Sequence, residues 1–161
     1  MRSNEMSHVF IGIISKGGQF NAGDGTVVKF PKVRFKSIKD GSSKTILIAE
    51  KAVYAPHYNF IKRQDWQWWE LMGYFHGADW GNMRQVGSNG VPVSDTEARD
   101  PNRGTNEGFF EEYSFGSAHT GGFNAVFGDG SVHNLTFDID LDVCNHLCVR
   151  NDGQVQSSED Q

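Results

Sequence analysis

The residues best suited to chemistry cluster in the stretch FGSAHTGGFNAVFGDGSVHNLTFD, Phe115 to Asp138. His119 could serve as general base or metal ligand, with Ser117 as a hydroxyl nucleophile and Asp129 as the supporting carboxylate. Nothing in the spacing of these three brings them within hydrogen-bond reach by rule, which a triad requires. The preferred reading is structural. The imidazole donates to backbone or to a turn carboxylate and fixes the approach to a hairpin, while Gly121 and Gly122 supply φ values or packing closed to other residues. Asp129, Ser131 and Asn124 are hard oxygen donors and, with His119, form the candidate calcium or metal set. Asp129-Gly130 is already explained by turn geometry, no EF-hand spacing is present, and Asp24, Asp40 and Asp95 in their own loops are no better than background.

Two further groups carry chemical weight. Glu50 ends the apolar run TILIAE, and a covered carboxylate needs a partner. It is expected to pair with His119 or to cap backbone donors across a sheet, as a structural use of a buried charge. Trp66, Trp68 and Trp69, in DWQWWELM, offer indole faces that could stack on sugars, with Trp66 and Trp68 on one strand face. Filling a core beneath a long loop is the preferred alternative. The two cysteines, Cys144 and Cys148, stack on one face of a helix, where i, i+4 geometry strains a disulfide. Two buried free thiols are therefore preferred. A metal site would want further ligands, and His146 points away from both sulfurs.

The elements that must position these groups follow from pattern. HVFIGIIS and TVVKFPKVRF read as strands separated by a glycine-rich loop, KGGQFNAGDG; Pro31 suits an edge. Asp40-Gly41 makes a turn, and Thr45 to Glu50 a buried strand. Residues 55–106 form a long Trp- and Gly-rich excursion, with one short helix or strand around Trp66 to Met72, and VGSNGVPVSDTEARDPNRGTNEG is a polar surface loop. Phe123 to Phe127 and Val132 to Phe137 make a β-hairpin closed by a two-residue Asp-Gly loop. That register sets Phe127 opposite Val132, Val126 opposite His133 and Asn124 opposite Leu135, with apolar groups on both faces. Asp140 caps a short helix carrying Leu141, Cys144, Leu147 and Cys148 on one stripe, stopped at Asn151 or Gly153; residues 156–161 are frayed.

A chain of 161 residues is long enough for one domain with a real core, spanning residues 1–161. With 19 glycines against 4 prolines it suits a β-rich chain with short turns better than a helical bundle. The net charge of −5, with scattered basic residues, argues against nucleic acid. No run is long and apolar enough to span a bilayer, and MRSNEMSHVF has no leader character.

The segment SFGSAHTGGFNAVFGDGSVHNL, with nine residues between His119 and Asp129-Gly130, resembles the C-terminal signature of a prepilin-like family of unknown function abundant in planctomycetes. SIKDGSSKTILIAEK is similar to that family's strand ending in Glu, and IDLDVCNHLCVRNDGQVQS to its closing helix and tail. Lys44 and Cys144 depart from the pattern. The family's leader and long hydrophobic helix are missing, so the chain looks like the C-terminal globular part alone, soluble as given.

The resemblance implies an α+β pilin- or pseudopilin-like head: an antiparallel β-sheet, a central β-hairpin and a short C-terminal helix. It implies a non-catalytic structural or adhesive component of a cell-surface, type II secretion or type IV pilus-like assembly. Its partners would be other pilin-like subunits, and it would reach the membrane only through the missing helix. Its place would be the cell surface, periplasm or exterior, and no cofactor is expected. The alternative is a free-standing module binding glycan or calcium through the Trp-rich loop. A hydrolase using His119 and Glu50 ranks third.

Overall fold

The computed structural model describes residues 12–14, 18–21, 27–30, 32–59, 84, 86, 90–98 and 114–154. In chain order its elements are β1 Gly18–Asn21, β2 Val27–Phe30, β3 Ile46–Ala49, β4 Val93–Ser94, β5 Gly116–Ser117, β6 Gly122–Phe127, β7 Val132–Thr136 and helix α1 Leu141–Cys148. Short 3-10 turns cover Phe35–Ser37, Ser42–Lys44 and Ala55–Asn59. β3, β6 and β7 form an antiparallel sheet with β6 in the middle; β1 and β2 form an antiparallel pair, and β4 and β5 a parallel one. This mostly antiparallel arrangement with one short helix is α+β in character.

β6 reads GFNAVF, with small and apolar residues alternating against Asn124 and Val126, and the sheet uses that period. Phe123, Ala125 and Phe127 are fully buried on one face and meet Leu135 from β7 and Ile46 from β3. Helix α1 covers this face with Cys144 and Leu147, both inaccessible to solvent. Phe115 stacks on Phe123 with ring centroids 5.7 Å apart, and Phe137 packs on the same ring at 6.3 Å. Asp140 starts α1 by accepting from Asp142 N and Val143 N, as a helix N-cap does, and Gly153 follows the helix at φ +79°.

The hairpin register is shifted by one residue from the sequence expectation. Val126 faces Val132, Ala125 faces His133 and Asn124 faces Asn134. Phe127 N donates to Ser131 O and Gly130 N to Phe127 O, both at 2.9 Å, so the loop is the three residues 128–130, not the two-residue Asp-Gly loop. Gly130 sits at φ +89°, the left-handed position of a three-residue hairpin loop. Because strand side chains alternate, that one step gathers Phe123, Ala125, Phe127 and Leu135 on the face beneath α1, while Val126 and Val132 lie on the other face.

Other expectations change as well. β1 lies inside the stretch expected to be a glycine-rich loop, pairing Gly18 with Phe30 and Asn21 with Val27. Residues 12–14 of HVFIGIIS are not strand, and the rest of that run lies outside the described residues. Val27–Phe30 recruits its nearest neighbours in sequence, which cost least loop entropy to close. The strand expected to run on through Val33 and Phe35 ends at Phe30, and Phe35 is 71% exposed. β3 is not wholly buried: a bulge between Ile46 and Ile48 turns Ile48 out to 57% exposure. Within the polar stretch after Val86, Ser94 and Asp95 are buried, and Val93–Ser94 pairs with β5.

Candidate functional site

Glu50 follows the last residue of β3, and the pairing of Ala49 with Ala125 brings it opposite Asn124. An antiparallel pair of this kind exchanges two backbone hydrogen bonds. Glu50 N donates to Asn124 O at 3.0 Å, but the return bond runs from Asn124 N to Glu50 Oε2, at 2.7 Å. The side-chain carboxylate stands where the main-chain carbonyl would. The carbonyl itself has turned to accept from Gly116 N at 3.2 Å, and the chain continues along residues 114–116 through Ala52 N to Ser114 O and a Lys51–Phe115 bridge. Glu50 is thus the point at which one strand passes from one partner to another.

The second carboxylate oxygen faces His119: Nε2 to Oε1 is 3.6 Å, with the side chains 60% and 39% exposed respectively. The buried charge expected at Glu50 is therefore half open to water, and an ion pair in that setting is worth about 0–1 kcal/mol. Ser117, 4% exposed, donates its hydroxyl to Gly122 O at 2.8 Å and accepts from His119 N at 3.0 Å, closing the loop between β5 and β6. Its proton is committed to a carbonyl and not to the imidazole. A Cβ at Gly122 would stand 2.2 Å from Leu135 O, so no other residue fits there; at Gly121 a Cβ would meet nothing within 4 Å. Neither glycine has a positive φ.

Asp129, Gly130 and Ser131 lie at the opposite end of β6. Asp129 Oδ1 accepts from Ser131 N at 2.9 Å and Ser131 Oγ at 2.7 Å, and the hydroxyl and amide of Ser131 hold its carboxyl below the usual value. His133 Nε2 lies 3.0 Å from Ser131 Oγ, and its ring meets Phe127 edge-on at 4.8 Å. Asn124 accepts at Oδ1 from Asn134 Nδ2 at 3.2 Å. The candidate metal residues are therefore not brought together: Asn124 and His119 stand at one end of β6 and Asp129 at the other, roughly 10 Å or more away at the strand's rise per residue. Among the described residues no group of three or more His, Cys, Asp or Glu is placed to hold a metal ion. Trp66, Trp68 and Trp69 lie outside the described residues.

Two anchoring carboxylates were not singled out by sequence reasoning. Asp95, 5% exposed, accepts from Val53 N at 2.8 Å and from the Tyr58 hydroxyl, while its own N–H reaches Ser117 O. Loss of water around the phenol, the hydrogen bond to Asp95 and that carboxylate's charge push Tyr58 up to about 12. The available signal was Ser94-x-x-Glu97, a turn-opening pattern; Ser94 Oγ reaches Glu97 Oε2 at 3.1 Å. Asp40, also 5% exposed, accepts from Asp152 N and Gly153 N at 2.9 and 3.0 Å and holds the chain beyond α1. Burial acts to raise the Asp152 carboxyl, but hydrogen bonds from His146, at 2.7 Å, and Gln154 N bring it below the usual value. Cys144 and Cys148 are free thiols; contact with the Cys144 side chain, then burial, raises the Cys148 thiol well above the ordinary range.

Residues 13–142 match the model of a family described as a protein of unknown function, DUF1559, and the chain belongs to that family. No curated protein and no solved structure matches it. Among the described residues no helix is long and apolar enough to cross a membrane.

Proposed function

We propose that this member of the DUF1559 family is a non-catalytic subunit of a pilin-like assembly at the cell surface. One observation carries the reading: the Ser117 hydroxyl and one Glu50 oxygen are spent on main chain, and the exposed His119 imidazole faces, among the described residues, only the other Glu50 oxygen, with no hydroxyl to activate. Glu50 completes a sheet ladder, Ser117 closes a loop onto Gly122, and Asp129 closes a turn onto Ser131. A side chain acting as base or nucleophile needs its lone pair or proton aimed at a substrate, and these are aimed at the fold.

The sheet face opposite α1 adds support. Ile48, Val126 and Val132 form a row across all three strands, with Ile48 57% and Val132 65% exposed. Such a row suits packing against another subunit or a long apolar helix. The natural test is to express the tagged full-length gene in its host and shear the cells. The tag is expected in a sheared, high-mass surface fraction and lost from it when the prepilin peptidase is disabled. Recovery as a monomer in both backgrounds would overturn the proposal.

A further inference from the structure

The chain is acidic overall, and although its 15 Lys and Arg residues occur from Arg2 to Arg150, a third of them fall in one short segment. VVKFPKVRFKSIK, residues 27–39, contains five Lys or Arg residues and no acid in a protein of net charge −5. Lys32, Arg34, Lys36 and Lys39 are all exposed. At their centre Phe35, 71% exposed, opens the 3-10 turn Phe35–Ser37. The turn is well built: Ser37 N donates to Arg34 O at 2.7 Å, Ile38 N to Phe35 O at 3.1 Å, and Arg34 N to Ser37 Oγ at 3.2 Å. Its base is tied down where Lys39 N and Asp40 N both reach Arg150 O, at 2.7 and 3.3 Å. The first acid after the run, Asp40, is buried and holds Asp152 N and Gly153 N, so it does not neutralise the cations at the surface.

We propose that this turn docks on an anionic lipid bilayer, with the Phe35 ring at headgroup depth and Arg34, Lys36 and their neighbours against the anionic headgroups. The ring and the cations leave the same tight turn, and a bilayer interface sets negative charge directly above an apolar layer on that same scale. Nucleic acid fits less well: one ring is no stacking platform, and a phosphate backbone sets no apolar layer beneath its charge for Phe35 to enter. The inference goes beyond the assembly reading and does not depend on it.

The test is co-sedimentation of the full chain with vesicles of phosphatidylcholine alone, or of phosphatidylcholine with about 30% phosphatidylglycerol. Binding is expected only to the second. Each cation contributes about a fivefold gain at an anionic leaflet, so the double change Arg34→Glu and Lys36→Glu lowers binding by about 25-fold or more. Raising salt from about 0.1 M to about 1 M releases the chain, as screening shortens to a few ångströms. Phe35→Ala weakens binding by about tenfold, a single change that keeps the test decisive if the double variant misfolds. Asn134→Glu with Thr136→Glu, at exposed positions outside this turn, leaves binding unchanged. Equal binding to both vesicles, no binding to either, or undiminished binding by Phe35→Ala overturns the proposal. So does preferential capture by soluble heparin or duplex DNA, which would mark the patch as a polyanion site.

Discussion

Replacing Glu50 with alanine leaves Asn124 N–H without its acceptor, because the Glu50 carbonyl is already engaged by Gly116. A hydrogen bond to a charged group is worth about 1.5–3 kcal/mol when one partner is deleted. At 39% side-chain exposure water recovers part of that loss, so a cost of about 1–2 kcal/mol is expected for Glu50→Ala. Glu50→Gln keeps an oxygen at the same reach and loses only the charge assistance, a cost below about 1 kcal/mol. His119→Gln removes only the half-exposed ion pair, and its cost falls within about 0–1 kcal/mol. Urea unfolding of the parent and the three variants measures this directly, with equal slopes showing that the same surface is exposed. If Glu50→Gln costs as much as Glu50→Ala, the acceptor role is wrong. If His119→Gln costs the most, the carboxylate serves the imidazole and not the ladder.

Other outcomes follow from the same geometry. Gly122→Ala forces a Cβ onto Leu135 O and is expected to cost about 1–3 kcal/mol, whereas Gly121→Ala stays within about 0.5 kcal/mol; thermal unfolding compares them. Tyr58 carries a raised value, so its contribution is fully present below pH 10 and lost as pH rises through about 12. Tyr58→Phe should flatten stability across that window, and absorbance titration of the parent should show one phenol ionising late. Asp152 carries a lowered value, so its contribution is present above about pH 3.8 and lost as pH falls through the folded value below it. Asp152→Asn is expected to reduce the acid-side slope in urea melts at stepped pH.

Legibility in the sequence followed locality. Asp140 and the Leu141, Cys144, Leu147 spacing specify α1 because a cap and a helical stripe are set by neighbours within a turn. The hairpin was legible as an element but not in register. Asp-Gly fits both a two-residue and a three-residue loop, and the choice falls to bonds from elsewhere, Gly128 N to Thr45 O and Asp129 N to Ser42 O. Glu50 was visible as an acid needing a partner, and the contact with His119 lay within reach of that reasoning. That it would replace a carbonyl depends on the path of residues 114–116, which no local pattern encodes. Asp95 and Asp40 were invisible for the same reason: each binds backbone dozens of residues away or more.

A residue whose amide serves one strand and whose carbonyl serves another links their opening. Glu50 N and Asn124 N bridge to β6, and Gly116 N bridges to Glu50 from the other side. Slow amide exchange at Asn124 and Gly116 should then report one shared event, with both protons released at the same free energy. Tension applied to either strand would be divided between two ladders at this junction, so the sheet would resist peeling from one edge.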